Sequence, residues 1–490
     1  MKIGVVYSME GYSSLTKPMA SFIKVPFGLS FVATVLKKIG HDVELLVVTE
    51  DSDLDAVLRE FITSFKPAMF CFTAVTTQFP LIKQAARAVK EIDSAIYTVI
   101  GGAYPILDPE TIIASRLFDA VCTGEGEEAI VQLADMLAKG VRPSKISNMW
   151  FRNHGTGEIE RNANSAFLPD LDALPFIDRD MWEKWILNHE IHSLSLGRGC
   201  PFKCTYCSNH ALAQSSDGQY LRFRSYDNVL AELKDMVARW PTLKKVFLEA
   251  ETLGANLKYT LGLCEALCEF NKTLKTPLSY GMNLAVTKKI SRNQELLEAM
   301  KRANFEWVNV GLESGSARIR KEILKRPDYA NEDLIYFSNR AKEIGIGVAF
   351  NVLVGIPTET LEDFNETIQC ARACNPVECH VFIFFPYPGT DLHKLSAQMG
   401  LIGDAPLPHA MERRVACLNL PGFPRHRIRY EYAMAKYRIF KGKLPAYSLY
   451  ASVARNFLGG FPFLEHLLRD FMYRNPVGLF LKMIIWPSTT

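Results

Sequence analysis

Gly197-Arg198-Gly199-Cys200-Pro201-Phe202-Lys203-Cys204-Thr205-Tyr206-Cys207 is the stretch on which the fold turns. It follows an apolar run at 194–196 that reads as a strand, so its three cysteines stand on a loop at a strand's carboxyl end. Thiolates are the ligands that iron–sulfur clusters require. Three of them on a four-iron cluster leave one iron open to another ligand. The glycines at 197 and 199 let the backbone wrap closely around an inorganic core. The competing reading is a zinc knuckle, but structural zinc is closed by four ligands, usually in two pairs, and the fourth is missing here.

Downstream, apolar runs at 246–248, 278–282, 307–312, 347–354 and 380–385 alternate with helical stretches. With 194–196 they predict six βα units, a partial barrel rather than a closed eight-fold one. The strands end on Glu249-Ala250-Glu251, Asn283, Gly311-Leu312-Glu313-Ser314-Gly315-Ser316, Gly355-Ile356-Pro357-Thr358-Glu359 and Pro386-Tyr387-Pro388-Gly389-Thr390. Barrels of this kind carry their chemistry at those ends.

Upstream, residues 1–140 show the same rhythm. Strand signals at 3–7, 42–48, 68–73, 96–100 and 119–123 alternate with helical spacing at 28–39, 54–65, 79–92 and 127–137. This predicts a parallel, doubly wound sheet with ligand loops at 8–14, 73–78, 101–105 and 124–128. The dinucleotide fingerprint is missing after the first strand. Its nearest match, Gly124-Glu125-Gly126-Glu127, comes late, and its carboxylates would repel a pyrophosphate. Residues 141–190 lack long periodicity, contain Pro143, Pro169 and Pro175, and read as a linker. Residues 191–395 form the barrel, and 396–490 form a tail of helices broken by prolines.

The chain has 490 residues, and single cores stop growing near ~250–300, so two or three domains are expected. Hydrophobic residues are 48%, charged residues 22% and the net charge +3, which gives no reason to expect nucleic acid as a partner. No run of ~18 apolar residues predicts a spanning helix. Residues 1–7 read as a strand rather than a leader. Eleven unevenly spaced cysteines argue for a reducing compartment and a cytoplasmic protein. Cys370, Cys374 and Cys379 mimic a second cluster motif but read as packing on a helix, as do Cys264 and Cys268.

The CxxxCxxC loop after the first strand of a (βα)6 barrel resembles the radical S-adenosylmethionine superfamily. The doubly wound domain ahead of it is similar to the cobalamin-binding subclass, through Pro26-Phe27-Gly28-Leu29, Gly40-His41-Asp42-Val43, Gly101-Gly102-Ala103-Tyr104-Pro105 and Gly124-Glu125-Gly126-Glu127. The resemblance implies an α/β chain: a Rossmann-like cobalamin domain, a radical SAM barrel and a helical C-terminal region. It implies a [4Fe–4S] cluster on Cys200, Cys204 and Cys207, with S-adenosylmethionine on the open iron, cleaved reductively to a 5′-deoxyadenosyl radical. Phe202, Tyr206, Glu251, Asn283 and Glu313 would contact S-adenosylmethionine. Glu251 stands where the family has a "GGE" motif, although the two glycines are absent. Thr73, Thr76, Thr77, Gly101, Gly102, Tyr104, Gly124 and Glu125 would line the cobalamin. The Asp-x-His-x-x-Gly motif whose histidine ligates cobalt in many cobalamin domains does not occur, so no cobalt ligand is named.

By the same resemblance the reaction is methyl transfer to an unactivated carbon or phosphorus centre of a small-molecule or lipid-like substrate, with an electron donor such as flavodoxin or ferredoxin. A cyclase, oxidase or rearrangement enzyme is the alternative. A methylthiotransferase fits less well, because the first domain has only Cys71 and Cys122. From another class, the chain could be a cobalamin sensor or carrier with a vestigial barrel, against which the intact triad argues. In the tail, Arg425, Arg427, Arg429, Lys436, Arg438, Lys441 and Lys443 oppose one acid, Glu431, and aromatic residues follow. This reads either as a helical cap over the barrel or as a peripheral membrane contact, and the cap is the simpler reading.

Overall fold

The computed structural model describes residues 1–9, 13–14, 16–403 and 412–459. The chain divides into two compact units. The first comprises Met1–His189, Gly197–Gly199 and Ser208–Asn228; the second comprises Glu190–Leu196, Cys200–Cys207 and the described residues from Val229 on.

The first unit is built on strands β1 (Lys2–Met9), β2 (Met19–Ser21), β3 (Asp42–Thr49), β4 (Met69–Thr73), β5 (Tyr97–Gly101), β6 (Ala120–Cys122), β7 (Met149–Arg152) and β8 (Ile159–Arg161). Without β2 they form one sheet in the order β3-β1-β4-β5-β6-β7-β8, parallel up to β6. Val6, Phe70, Ile100 and Val121 are buried on it beneath Leu58, Ile82, Ala86 and Val89 of the helices Leu54–Phe65 and Phe79–Ile92. Continuous apolar strands suit a parallel sheet covered by helices. Strand order reverses at β1, which has β3 on one side and β4 on the other. In open sheets of this kind the ligand crevice lies at such a switch point, beyond the strand carboxyl ends.

The expected linker at 141–190 folds with this unit instead. β7 and β8 are an antiparallel hairpin added to the sheet edge. Trp182 is fully buried, its indole N–H donating to Ser30 Oγ at 3.1 Å, and Lys37 pairs with Asp178 at 2.6 Å. Another strand, β9 (Ile186–Asn188), pairs with β2. These elements are too short for period-two alternation to show in the sequence, and their partners are distant along the chain.

Around the cysteines the chain alternates between units. β10 (Ile191–Ser195) opens the second unit, whereas β11 (Gly197–Arg198) and β12 (Arg222–Phe223) form an antiparallel pair in the first. The second unit continues with β13 (Lys245–Glu249), β14 (Ser279–Leu284), β15 (Phe305–Glu313), β16 (Gly347–Val354) and β17 (Glu378–Ile383). These five and β10 form a wholly parallel six-stranded sheet in sequential order, the partial barrel expected.

The helix Arg425–Phe440 packs against the helix Leu361–Cys374 and β17. Much of the basic tail is spent on this packing. Arg427 and Arg438 both pair with buried Glu431, Arg438 also reaches Asn365 Oδ1 at 2.6 Å, and Lys443 donates to the Arg372 carbonyl at 2.7 Å. These bonds seat the helix on the last units of the six-stranded sheet. Tyr447, Tyr450 and Phe457 are exposed, whereas Phe461, Phe463, Phe471, Phe480 and Trp486 lie outside the described residues. Among the described residues no helix is long and apolar enough to cross a membrane. Cys370, Cys374 and Cys379 are buried free thiols, and the first two are hydrogen-bonded across one helical turn.

Candidate active site

The cysteine loop leaves β10 with the Leu196 N–H bonded to the Glu249 carbonyl at 2.8 Å. Thr205 anchors its centre. The Thr205 N–H donates to Leu324 O at 3.1 Å, its hydroxyl donates to Ile323 O at 2.6 Å, and its carbonyl accepts from the Leu392 N–H at 3.0 Å. Cys204 is buried, and Cys200 and Cys207 are half-buried. Burial pushes the Cys200 thiol up to about 12; Cys204, Cys207 and Glu251 add to the rise, and the Phe202 N–H opposes it. The three thiols therefore lie within electrostatic reach of one another. Among the described residues no three His, Cys, Asp or Glu side chains converge closely enough for a single metal ion. A [4Fe–4S] cluster places each thiolate on a different iron, so three thiols on one loop within electrostatic reach fit it.

Behind Cys204 lies a buried charged cluster. Glu313 closes β15 in a left-handed conformation, φ 56°, where the strand register shifts. Non-glycine residues held this way concentrate at functional sites. Arg326 donates to Gly311 O at 2.6 Å and Tyr206 Oη at 3.2 Å, and its Nη1 lies 3.8 Å from Cys204 Sγ. Its Nε is buried with no partner among the described residues. Burial raises the Glu313 carboxyl; Arg326 and the Tyr206 hydroxyl pull it back. The turn after Glu313 is rigid: the Gly315 N–H donates to Thr367 Oγ1 at 2.9 Å, and Ser316 Oγ to Asp363 at 2.6 Å. A single π-turn, Ile319–Ile323, carries the chain on to Arg326.

Cys204, Tyr206 and Glu313 are thus brought together. Asn283 is half-buried at the end of β14; its Nδ2 donates to Ala250 O at 3.5 Å and its Oδ1 accepts from Asn309 Nδ2 at 3.4 Å. Glu251 is exposed, and Phe202 is half-buried. Glu249, pushed up to about 7 by burial and by Glu251, also stands at this end of the barrel. Buried Glu359 is pushed up to about 8; it accepts from the Gly355 N–H at 2.6 Å and the Ile356 N–H at 3.2 Å, so this strand end is a braced turn. Thr390 caps the helix Asp391–Gln398. Sequence reasoning passed over Arg326, Glu249 and Asn309. A lone arginine after a turn has no motif to flag it, although Glu249 stood in view within Glu249-Ala250-Glu251.

In the first unit, Thr73 ends β4 and Gly102 follows β5 with φ 103°. A Cβ on Gly102 would stand 2.7 Å from Thr73 Oγ1 and 2.8 Å from Ala74 O. Gly101 accepts from the Ala74 N–H at 3.0 Å. Thr76 and Thr77 are buried, and Gln78 Nε2 ties their turn to Ser8 O on β1 at 2.7 Å. Ser8 Oγ is buried with no partner among the described residues, at the switch point where a polar ligand group would satisfy it. This corner fits cobalamin. Tyr104 is buried edge-on against Phe79, its hydroxyl donating to Asp108 at 3.4 Å. Gly124 is buried beside Asn148. The Glu125 carboxylate is taken by Arg198, Arg222 and the Leu168 N–H. Gly102→Ala should cost about 1–3 kcal/mol through its left-handed backbone and lower corrin uptake; thermal melts and absorbance after hydroxocobalamin loading check both.

A family model of the B12 binding domain matches residues 20–134, and one of the radical SAM superfamily matches residues 194–371. A doubly wound domain ahead of a parallel six-stranded barrel with a three-cysteine loop defines a class of iron–sulfur enzyme. This chain carries a B12-binding region followed by a radical SAM region. It is 25% identical to an uncharacterised methyltransferase of Pyrococcus horikoshii, over 77% of this chain and 79% of that protein. It is 26% identical to the anaerobic magnesium-protoporphyrin IX monomethyl ester cyclase of Rubrivivax gelatinosus, over 75% of this chain and 65% of the cyclase. The radical S-adenosylmethionine methyltransferase TsrM of Kitasatospora setae, solved with cobalamin and a [4Fe–4S] cluster, shares the fold: TM-score 0.67, 16% identity, 91% of this chain and 89% of that one.

Proposed function

We propose that this protein is a cobalamin-dependent radical S-adenosylmethionine methyltransferase acting on an unactivated carbon or phosphorus centre of a small-molecule or lipid-like substrate. One observation carries the reading: a three-cysteine loop at the carboxyl end of a parallel barrel strand, backed by a buried Arg326–Glu313–Tyr206 cluster. Cys200, Cys204 and Cys207 would hold the [4Fe–4S] cluster. Glu313 and Glu251 supply carboxylates for the amino group of S-adenosylmethionine, Asn283 a polar contact, and Phe202 and Tyr206, within the loop, further contacts. Thr73, Thr76, Thr77, Gly101 and Gly102 would line the cobalamin. When bound, the cluster and S-adenosylmethionine supply a substrate-activating radical and cobalamin carries the methyl group. The chain's part is to orient these groups and keep water from them. A small electron-transfer protein of the flavodoxin or ferredoxin kind would reduce the cluster.

Likeness to two methyltransferases supports methyl transfer, and likeness to the cyclase favours a second reading, a cyclisation or oxidation on the same scaffold. Anaerobic reconstitution with iron, sulfide and hydroxocobalamin, followed by reduction with S-adenosylmethionine present, tests both. A corrin band and 5′-deoxyadenosine are expected. S-adenosylhomocysteine alongside would mark methyl transfer, and its absence would favour the cyclase reading. Cluster-loaded protein that makes no 5′-deoxyadenosine would leave a cobalamin carrier or sensor.

A further inference from the structure

We propose that Glu125 and Glu127 clamp the two backbone arms that flank the cysteine loop, and so serve as positioning residues for the cluster. The inference rests on the cluster reading above. Both arms, Gly197–Gly199 before the loop and Ser208–Asn228 after it, belong to the first unit. Arg198, two residues before Cys200, donates to Glu125 Oε1 at 2.9 Å and to Glu127 Oε1 at 2.5 Å. Arg222, on the returning arm, grips Glu125 with both terminal nitrogens, at 2.8 and 3.0 Å, and donates to Leu168 O at 2.6 Å. The Arg222 side chain is only 4% exposed. Phe31 and Phe167 cover the two guanidinium groups at 5.2 and 5.1 Å.

Two carboxylates and two guanidinium groups balance in charge, and bidentate pairing fixes direction as well as distance. The arms are also joined by β11–β12 pairing, and just beyond it Gly199, at φ 90°, leaves 2.3 Å between a would-be Cβ and Tyr220 O. The trailing arm is further stitched to the first unit. Ser215 O accepts from Asn164, which also bonds Thr123, and the helix Ser208–Leu212 packs on the helix Ala103–Leu107 that follows Gly102. Glu125 therefore acts on the loop's two ends, at the strand end that resemblance assigns to cobalamin.

The test uses the full chain, reconstituted anaerobically with cluster and hydroxocobalamin, in the variants Glu125→Gln, Arg198→Lys and, as a remote ion-pair control, Lys37→Met. Loss of an outer-shell partner of a metal site typically costs roughly 10–100-fold. The expected result for Glu125→Gln is iron release to a ferrous chelator faster by that factor, and an altered line shape of the reduced cluster in paramagnetic resonance. Corrin uptake should match wild type. Arg198→Lys, which reaches one carboxylate but not both, should fall between, and Lys37→Met should match wild type. Wild-type iron release in a folded Glu125→Gln protein overturns the clamp, and lost corrin uptake with a stable cluster assigns Glu125 to cobalamin instead. If Glu125→Gln does not fold, Arg198→Lys decides on the same readout, and loss of folding in both overturns the clamp in favour of a purely structural network. Wild-type protein that assembles no cluster overturns the cluster reading, and the clamp with it.

Discussion

Alanine at Cys204 is expected to abolish the cluster while leaving the fold intact. Cys204 is the buried member of the triad and the one that faces Arg326, 3.8 Å away. Removing a thiolate takes away a direct iron ligand, so the loss should exceed the ~100-fold that outer-shell changes produce. Iron content, the reduced-cluster resonance and 5′-deoxyadenosine should all fall to the level of protein without added iron. The cavity left by one sulfur is small, and the cost in stability should stay near ~1 kcal/mol. A Cys204→Ala protein that melts like wild type but keeps a full cluster would remove Cys204 from the ligand set.

Arg326→Met should have the largest effect on folding. The guanidinium is buried against Glu313, Tyr206 and Gly311, and its removal leaves a buried carboxylate without its cation. Breaking a buried pair by deleting one partner costs about 3–5 kcal/mol. Replacing both charges is far milder, so Glu313→Gln with Arg326→Met should recover much of the loss. The pH dependence has a definite sign. The Glu313 carboxyl is already raised by burial, and without Arg326 it rises further. A folded-state value above the unfolded one means stability present at low pH and lost as pH rises through the folded value. The deficit of Arg326→Met should therefore shrink as pH is lowered toward the ordinary carboxylate range. Denaturant titrations of single and double variants at several pH values measure this, and a pH-independent deficit would separate Glu313 from Arg326.

Much of this was legible beforehand because the signals are local. Alternating apolar runs and helical spacing located the parallel strands of both units, and three cysteines in one loop pointed to a cluster whose chemistry the family resemblance supplied. The hairpin at β7 and β8 was missed because four and three residues are too few to display a period. Glu125 was read as lining cobalamin through the resemblance of Gly124-Glu125-Gly126-Glu127 to the cobalamin-binding subclass. Its bonds to Arg198 and Arg222, 73 and 97 residues further on, carry no sequence pattern.

The sequence by itself determined the βα rhythm and the three-thiolate loop, since hydrophobic period and ligand spacing are properties of neighbouring residues, and the class of protein followed from their resemblance to a known family. Tertiary structure alone decided which charges meet. Arg326 became a partner of Cys204 and Glu313, and the arms of the cysteine loop were assigned to the first unit. Charge pairing and burial depend on distances that only the folded chain sets, and within a low-dielectric interior those distances govern both stability and the chemistry of the thiols.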